Sequence, residues 1–407
     1  MMFRERIATG VLFLALSSGA DGAVNVNCDQ GDSLQAAVSA ATPGDTIAVT
    51  GVCYETVVIA TDDLVVDGQG ATILDAGNAF PPQAAISVEG ARGVTLKGLD
   101  VRNGLMGISL KKGAHAALDE IVTRNQETMG LSAIEKSVLT VNSARIEDAG
   151  VNGVDIVEAS NIKITGELSV SGSGIFSLNL QDAAVLTAEN ATVELENNTF
   201  GLHVAVGSTA FFNESSVHAN QNDLIGVAVD NGSKLFMFSS HLQANGNGLD
   251  GIDCNINSNI DFDAASSATA NDNGRNGISL EDTTFNVFSF FVVPGPSIEA
   301  SNNGQNGAIL TLGSKMDIGI NSRFTASGNG QNGILVDDGS VVVLTNATVT
   351  GHGVLADNKT DPEVGDLRVT FGSRASAVGD TLIARTVCDR SALLRGGLKC
   401  NGPFITP

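Results

Sequence analysis

Four side chains with carboxylate or amide oxygens recur at a regular spacing in the middle of the 407-residue sequence. Asp230, Asp253 with Asn255, and Glu281 each follow, by two or four residues, a glycine that opens a short alternating run. If these runs stack as neighbouring strands, the carboxylates lie about 5 Å apart in adjacent strands and about 10 Å apart in alternate ones. Paired carboxylates at such separations perform glycoside hydrolysis. The spacing predicts Asp230, Asp253 and Glu281 as catalytic residues and Asn255 as a substrate-binding residue.

The same four residues allow two other interpretations. Hard oxygen ligands suit Ca²⁺, which would let an acidic protein bind an acidic glycan. The chain also carries 45 Asp+Glu against 22 Lys+Arg, a formal net charge of −23, so the residues could simply form a solvated acidic face. The sequence leaves these alternatives open and requires no cofactor.

Two cations near these carboxylates suit a different reaction. A polysaccharide lyase needs a cationic base beside the glycan, and Lys234 and Arg275 are the candidates for that role and for substrate binding. His203 falls on the same stripe but two repeats away from Asp253, too far for a direct pair, so we interpret it as a lone surface histidine.

The elements that must position these residues form an internal repeat. A glycine followed by a short apolar alternation recurs with a mean spacing of 24.6 residues, at Gly107, Gly130, Gly153, Gly174, Gly201, Gly226, Gly251, Gly277, Gly307, Gly333 and Gly353. Two more alternating runs and turns rich in Asn, Gly and Ser lie between successive glycines, which is a β-strand pattern. Asn and Gly tolerate the positive φ of sharp corners. About 25 residues therefore form one coil of a parallel β-helix solenoid, an all-β fold.

Four phenylalanines repeat in this region as well. Phe211, Phe236, Phe262 and Phe288 lie ten or eleven residues after their glycines in four successive coils. This spacing predicts an aromatic stack inside the solenoid.

The two ends of the chain differ from the repeats. Residues 1–20 have the basic start, short apolar run and small-residue end of a signal peptide, and no other stretch is apolar enough to span a membrane. Residues 21–106 are predicted to form an N-terminal cap and the first coils, with a capping helix that begins after Ser33. Residues 107–360 are predicted to form the repeats, and residues 361–407 the last coils and a C-terminal cap.

The five cysteines fit an oxidising compartment. The local pairing joins Cys28 to Cys53 and Cys388 to Cys400, so that each disulfide clamps one end. Cys254 is left over and is predicted to be a buried free thiol.

Several N-terminal segments resemble the opening of a known group. These are Gly31–Val38, Pro43–Ile47, Tyr54-Glu55 and Asp67–Ile73, and they are similar to secreted right-handed parallel β-helix proteins of the pectin-lyase-like superfamily. The Asn-Gly-Ile repeats and the C-terminal segment Val387–Gly396 resemble uncharacterised bacterial members. The resemblance implies a right-handed solenoid over essentially the whole mature chain. It is specific for the fold and weak for the reaction.

Charge narrows the range of partners. A pI near 4.4 argues against nucleic acid, anionic membrane surfaces and unaided binding of polyuronates. We therefore predict a secreted protein, periplasmic or extracellular, that binds or processes extracellular or cell-wall polysaccharide. If it is an enzyme, it is a polysaccharide lyase or a glycoside hydrolase; the alternative is a non-catalytic structural, surface or adhesion-type rod. The sequence does not indicate an oligomeric state.

Overall fold

The structure, a computed structural model, describes residues 23–75, 83–263, 265–288, 295–319, 321–350, 365–378, 381–401 and 404–405. The predicted signal peptide and Gly353 lie outside these ranges. The described chain winds into a β-solenoid with about 24 residues per turn, as the repeat predicts. Each strand pairs in parallel with its counterparts in the coils before and after it. The four segment boundaries given above stay predictions.

One sheet, called sheet 1 here, receives a single strand from each coil and has 15 strands within the described residues. They are Val57–Ile59, Ala84–Glu89, Met106–Lys111, Met129–Ala133, Asn152–Ile156, Phe176–Leu180, Phe200–Val204, Ile225–Val229, Ile252–Asn255, Ile278–Glu281, Ala308–Thr311, Ile334–Val336, Leu367–Val369, Thr386–Asp389 and Phe404–Ile405.

A second sheet, called sheet 2, has 26 strands in the part of the chain that the structure describes, because most coils give it two strands or one long bent strand. They are Val24–Asn27, Thr46–Thr50, Val52–Cys53, Val65–Asp75, Val94–Arg102, His115–Asp119, Ile121–Arg124, Val138–Glu147, Asn161–Ser171, Val185–Glu189, Thr192–Glu196, Thr209–Asn213, Ser216–His218, Lys234–Phe238, His241–Gln243, Asn259–Asp263, Ser267–Thr269, Thr284–Val287, Ser297–Glu299, Lys315–Ile318, Arg323–Ser327, Val341–Thr345, Ala347–Thr350, Arg374–Val378, Leu382–Ile383 and Leu393–Arg395.

The N-terminal end is closed as predicted. A 3-10 turn, Cys28–Gln30, precedes the helix Leu34–Ala40, and the Ser33 hydroxyl accepts the hydrogen bond of the Ala36 amide at 3.1 Å. Leu34 and Val38 are buried in the core of the first coils, so the helix covers apolar surface that an open solenoid would expose. Both predicted disulfides are present, Cys28–Cys53 and Cys388–Cys400, and Cys254 is a buried free cysteine.

The predicted interior aromatic stack is confirmed for Phe262, which is buried, and is wrong by one residue of register for Phe211 and Phe236. Phe211 is 44% exposed and stacks on Phe236 outside sheet 2, with ring centroids 4.7 Å apart. The interior row instead contains Phe212, which aligns through Met237 with Phe262. Because neighbouring residues of a strand face opposite sides, a shift of one position exchanges inside and outside.

The repeat glycines are required by close packing rather than by a left-handed backbone. A Cβ at Gly251 would lie 2.7 Å from the Ala244 carbonyl oxygen and 2.8 Å from the Gly277 carbonyl oxygen of the next coil. One apparent member of the repeat is out of register. The residue aligned with Gly153 and Gly201 is Ser177, three positions after Gly174.

Buried asparagines form a continuous row at one corner of the solenoid, which we call the amide ladder. The Asn222 and Asn247 backbone amides donate to the side-chain oxygens of Asn247 and Asn273, at 2.9 Å in both cases. The members are Asn198, Asn222, Asn247, Asn273, Asn303 and Asn329. The amide ladder satisfies backbone amides that are buried between coils. This is a second reason, besides corner geometry, for the asparagines of this chain.

Candidate functional site

The outward face of sheet 1 carries a row of small and polar side chains in consecutive coils, which we call the strip. Its members align one to one and are Ser87, Ser109, Ser132, Asp155, Asn179, His203, Ala228, Asp253 and Ser279. They point outward because their strand neighbours, such as Ile108 and Leu110 around Ser109, lie in the core. At about 4.8 Å per coil the strip is about 40 Å long.

The strip is recessed. Its members from Ser87 to Asn179 face outward yet are only 2–9% exposed. Larger, partly exposed side chains stand at the starts of the same strands and form a rim, among them Met106, Met129, Phe176, Phe200 and Ile225. A long shallow channel with a polar floor and an apolar edge results.

Four polar side chains in the middle of this region form one hydrogen-bonded chain, which we call the polar relay. The Asn179 Nδ2 donates to Asp155 Oδ1 at 2.7 Å, and Asn179 Oδ1 lies 2.7 Å from His203 Nδ1. His203 Nε2 lies 3.1 Å from Asp230 Oδ2. The His203 side chain is 12% exposed, so a nearly buried imidazole is held on both nitrogens.

Aromatic packing fixes the plane of that imidazole. Phe176, on the rim, stacks on His203, with ring centroids 4.4 Å apart and an interplanar angle of 7°. Phe200 in turn lies 5.1 Å from Phe176, centroid to centroid. His203 is therefore not a lone surface histidine, and that interpretation is wrong because the Asp230 side chain reaches back to the preceding coil.

Asp253 forms a second polar group on the strip. Its Oδ2 accepts a hydrogen bond from Asn255 Nδ2 at 2.7 Å. Burial raises the pKa of Asp253, with nearby Asp250 adding to the effect, while hydrogen bonds from Asn255 and Ser279 and the charge of Arg275 oppose it. Ala228 is the only strip residue between His203 and Asp253. The small side chain of Ala228 therefore separates His203 from Asp253, whose backbones lie about 10 Å apart.

The remaining predicted residues lie in different surroundings. Glu281 ends the strand after Asn255 and is exposed. Lys234 begins a strand of sheet 2 rather than sheet 1. Arg275 binds buried Asp250 through two of its guanidinium nitrogens, one at 2.9 Å from Nε to Oδ1, and this contact raises its pKa further.

The predicted carboxylates lie in separate surroundings. Within the described ranges, Asp230, Asp253 and Glu281 do not form a group of three whose ligand atoms lie within 4.8 Å of one another. Asp230 and Asp253 are instead engaged by His203 and Asn255.

Sequence reasoning missed Asp155 and Asn179 as members of a site. Counting two residues from Gly174 gives Phe176 as the outward residue of that coil, whereas strand pairing places Asn179 between Asp155 and His203. The outward positions after Gly130 and Gly153, read in register, already contain Ser132 and Asp155. Recognising Ser177 as the glycine equivalent would have completed the row.

Comparisons with known proteins agree with this architecture. Residues 64–223 match the family model described as "Right handed beta helix region". Over these residues the chain is similar to right-handed β-helix regions, which agrees with the parallel β-helix of the structure and with the predicted resemblance to the pectin-lyase-like superfamily.

Three solved structures are similar in overall shape. An alginate lyase from Paenibacillus sp. is 13% identical, with a TM-score of 0.42, and the match covers 62% of this chain and 95% of that one. The A-module of a mannuronan C-5 epimerase from Azotobacter vinelandii is 12% identical, with a TM-score of 0.46 and coverage of 91% and 99%. The catalytic unit of an α-1,3-glucanase from Streptomyces thermodiastaticus is 12% identical, with a TM-score of 0.37 and coverage of 96% and 71%. No curated protein matches the sequence.

Proposed function

We propose that this protein is exported, binds a linear extracellular polysaccharide along the strip, and processes it by acid–base chemistry at His203, Asp230 and Asp253. The observation that carries the proposal is the polar relay, a set of polar groups nearly buried in a recessed outer face. Polar groups held away from water are costly unless they are hydrogen-bonded, as these are, and burial raises the pKa of Asp253 on the same strip. Buried polar networks and perturbed titratable groups are found at functional sites.

The shape of the strip supports a polymer as the ligand. A channel about 40 Å long with a polar floor and an apolar edge can contact several sugar units in a row. Hydroxyl, amide and carboxylate groups on the floor can hydrogen-bond to sugar hydroxyls, and the rim offers apolar surface. The acidic floor favours a glycan that is neutral or positively charged, because a polyuronate would be repelled.

The arrangement of proton carriers supports a reaction. His203 with Asp230 stands on one side of Ala228, and Asp253 stands on the other. One group can donate a proton to the departing oxygen while the other accepts one from water or from the sugar ring. Arg275 does not suit the role of a lyase base, because Asp250 holds its guanidinium.

Two disulfides, one near each end of the described chain, support export. Within the described ranges no helix has the length and apolar character needed to cross a bilayer.

The first experiment is a panel of neutral, amino-sugar and uronate polysaccharides with the mature protein, read for new reducing ends and for unsaturated uronate absorbance. We expect new reducing ends, and a loss of at least 100-fold in His203→Gln and Asp253→Asn. Asp261→Asn, on the outer face of sheet 2, is the matched control and should keep full activity. New reducing ends that persist unchanged in both strip variants would contradict the site.

A second candidate function is favoured by the amide ladder. Buried asparagines in six successive coils hydrogen-bond each coil to the next, and an acidic rod held together in this way is suited to a structural or surface role. Glycan binding without turnover, unchanged in His203→Gln, would favour this alternative over the enzyme.

A further inference from the structure

The Asp155 carboxylate determines which way the Asn179 amide points. Asp155 Oδ1 accepts hydrogen bonds from Asn152 Nδ2 at 2.8 Å and from Asn179 Nδ2 at 2.7 Å. An ionised carboxylate can only accept, so Asn179 must direct its NH₂ group to Asp155. The Asn179 oxygen is then directed to His203.

This orientation determines one proton of the imidazole. His203 Nδ1 lies 2.7 Å from Asn179 Oδ1, and an amide oxygen has no hydrogen to offer. Nδ1 must therefore carry the hydrogen and donate it. The opposite orientation of Asn179 would place two acceptors together at Asp155, and that contact would be repulsive.

The other ring nitrogen faces an acceptor as well. His203 Nε2 lies 3.1 Å from Asp230 Oδ2, and Asp230 Oδ1 accepts a hydrogen bond from Asn231 Nδ2 at 2.9 Å. With Nδ1 already protonated, a hydrogen bond between Nε2 and Asp230 requires one further proton, located on either the ring or the carboxylate. The titratable groups of the polar relay are Asp155, His203 and Asp230, and Asp253 lies two coils from His203 on the strip.

We infer that Asp155 and Asn179 are positioning residues that keep a proton on His203 Nδ1, so that the transferable proton of the site lies between His203 Nε2 and Asp230. Its use in turnover rests on the proposed function, whereas the location of the protons does not. The two ends of the polar relay therefore differ. Asp155 holds the Asn179 amide in one orientation, whereas Asp230, beside Ala228, shares the transferable proton with His203.

The test is nitrogen-15 NMR of the histidine rings in the labelled mature protein, with His203→Gln identifying the His203 signals. In the unaltered protein we expect Nδ1 to be protonated. In Asn179→Leu, Nδ1 loses its acceptor, and in Asp155→Asn the Asn179 amide is free to turn. Both changes should remove the proton from Nδ1 and leave the ring protonated at Nε2 alone, which still faces Asp230. Asp230→Asn should keep the Nδ1 proton and remove the shared one.

Asp261→Asn on sheet 2 is the control and should leave the His203 signals unchanged. An unprotonated Nδ1 in the unaltered protein would overturn the inference, as would an unchanged pattern in a folded Asp155→Asn variant. Asp155→Asn preserves the size of the side chain, so it covers the case in which Asn179→Leu fails to fold. If the polysaccharide panel is silent while the NMR pattern is as expected, the proposed function fails and the proton assignment stands.

Discussion

The imidazole of His203 lies flat on the ring of Phe176, 4.4 Å between centroids and 7° from parallel. Phe176 and Asn179 belong to the same strand, so one strand supplies both the hydrogen-bond acceptor and the flat support for the histidine. The ring is thus restrained in rotation and in tilt before any substrate binds, which is what an acid–base group needs.

Removing the aromatic support should therefore impair turnover more than binding. We expect Phe176→Ala to lower kcat about 10-fold or more with little change in KM, because the imidazole can tilt away from its working position. Phe200→Ala removes a comparable ring from the same rim without a stacking contact to His203 and is the control. Equal effects of the two variants would show that Phe176 acts only as rim surface.

The Asp253 carboxyl should contribute less to the free energy of unfolding at neutral pH than at acidic pH. Burial raises the pKa of Asp253 in the folded state, so the folded protein holds this proton more tightly than the unfolded chain does. The cost is fully present above the folded-state pKa and vanishes below the unfolded-state value. We expect Asp253→Asn to raise Tm at pH 7 and to have little effect on Tm near pH 3; a lower Tm at pH 7 would contradict this.

Arg275 should contribute to folding rather than to catalysis. It is 41% exposed, but its partner Asp250 is 0% exposed, so Arg275→Met leaves a buried carboxylate without its cation. Loss of one member of such a pair costs about 3–5 kcal/mol. We expect the double variant Arg275→Met with Asp250→Asn to regain most of the lost stability in urea denaturation. A mild effect of Arg275→Met alone would contradict this and would mean that the two hydrogen bonds from Asn276 are enough to hold Asp250.

Substitutions of asparagine in this chain should fall into two classes by their effect on the free energy of unfolding. Asn247 lies in the amide ladder and accepts from the backbone and side-chain nitrogens of Asn222. We expect Asn247→Leu to cost about 2–3 kcal/mol, because it leaves buried donors unsatisfied. Asn257 is exposed at a corner with φ 59°, and Asn257→Gly should stay within about 0.5 kcal/mol of the unaltered protein. Denaturant midpoints with unchanged slopes would measure both effects.

The period, the strand content and the clamped ends could be predicted from the sequence because they depend on local patterns. A glycine before an alternating run predicts a strand start, and two cysteines 25 or 12 residues apart predict a local disulfide. The capping helix follows from Ser33 and the apolar spacing after it. These features need no knowledge of how one coil aligns with the next.

The site could be predicted only in part, because it depends on that alignment. Asp230 and Asp253 were identified from their positions after Gly226 and Gly251, and both lie beside or on the strip. Asn179 was missed because the spacing changes after Gly153, and a false glycine match moved the register by three residues. The contact between Asp230 and His203 depends on a side chain that leans across coils, which no linear spacing records.

The amide ladder also bears on how such a chain can change over evolutionary time. An asparagine inside the ladder, such as Asn247, accepts a hydrogen bond on its side-chain oxygen from the backbone amide of the preceding coil. Its own backbone amide donates to the side-chain oxygen of the asparagine in the following coil. A duplicated or deleted coil would therefore meet matching partners at both of its new junctions. The length of the solenoid can vary by whole coils without a new interface having to arise, while the relay, whose members differ in every coil, can exist at one place along it.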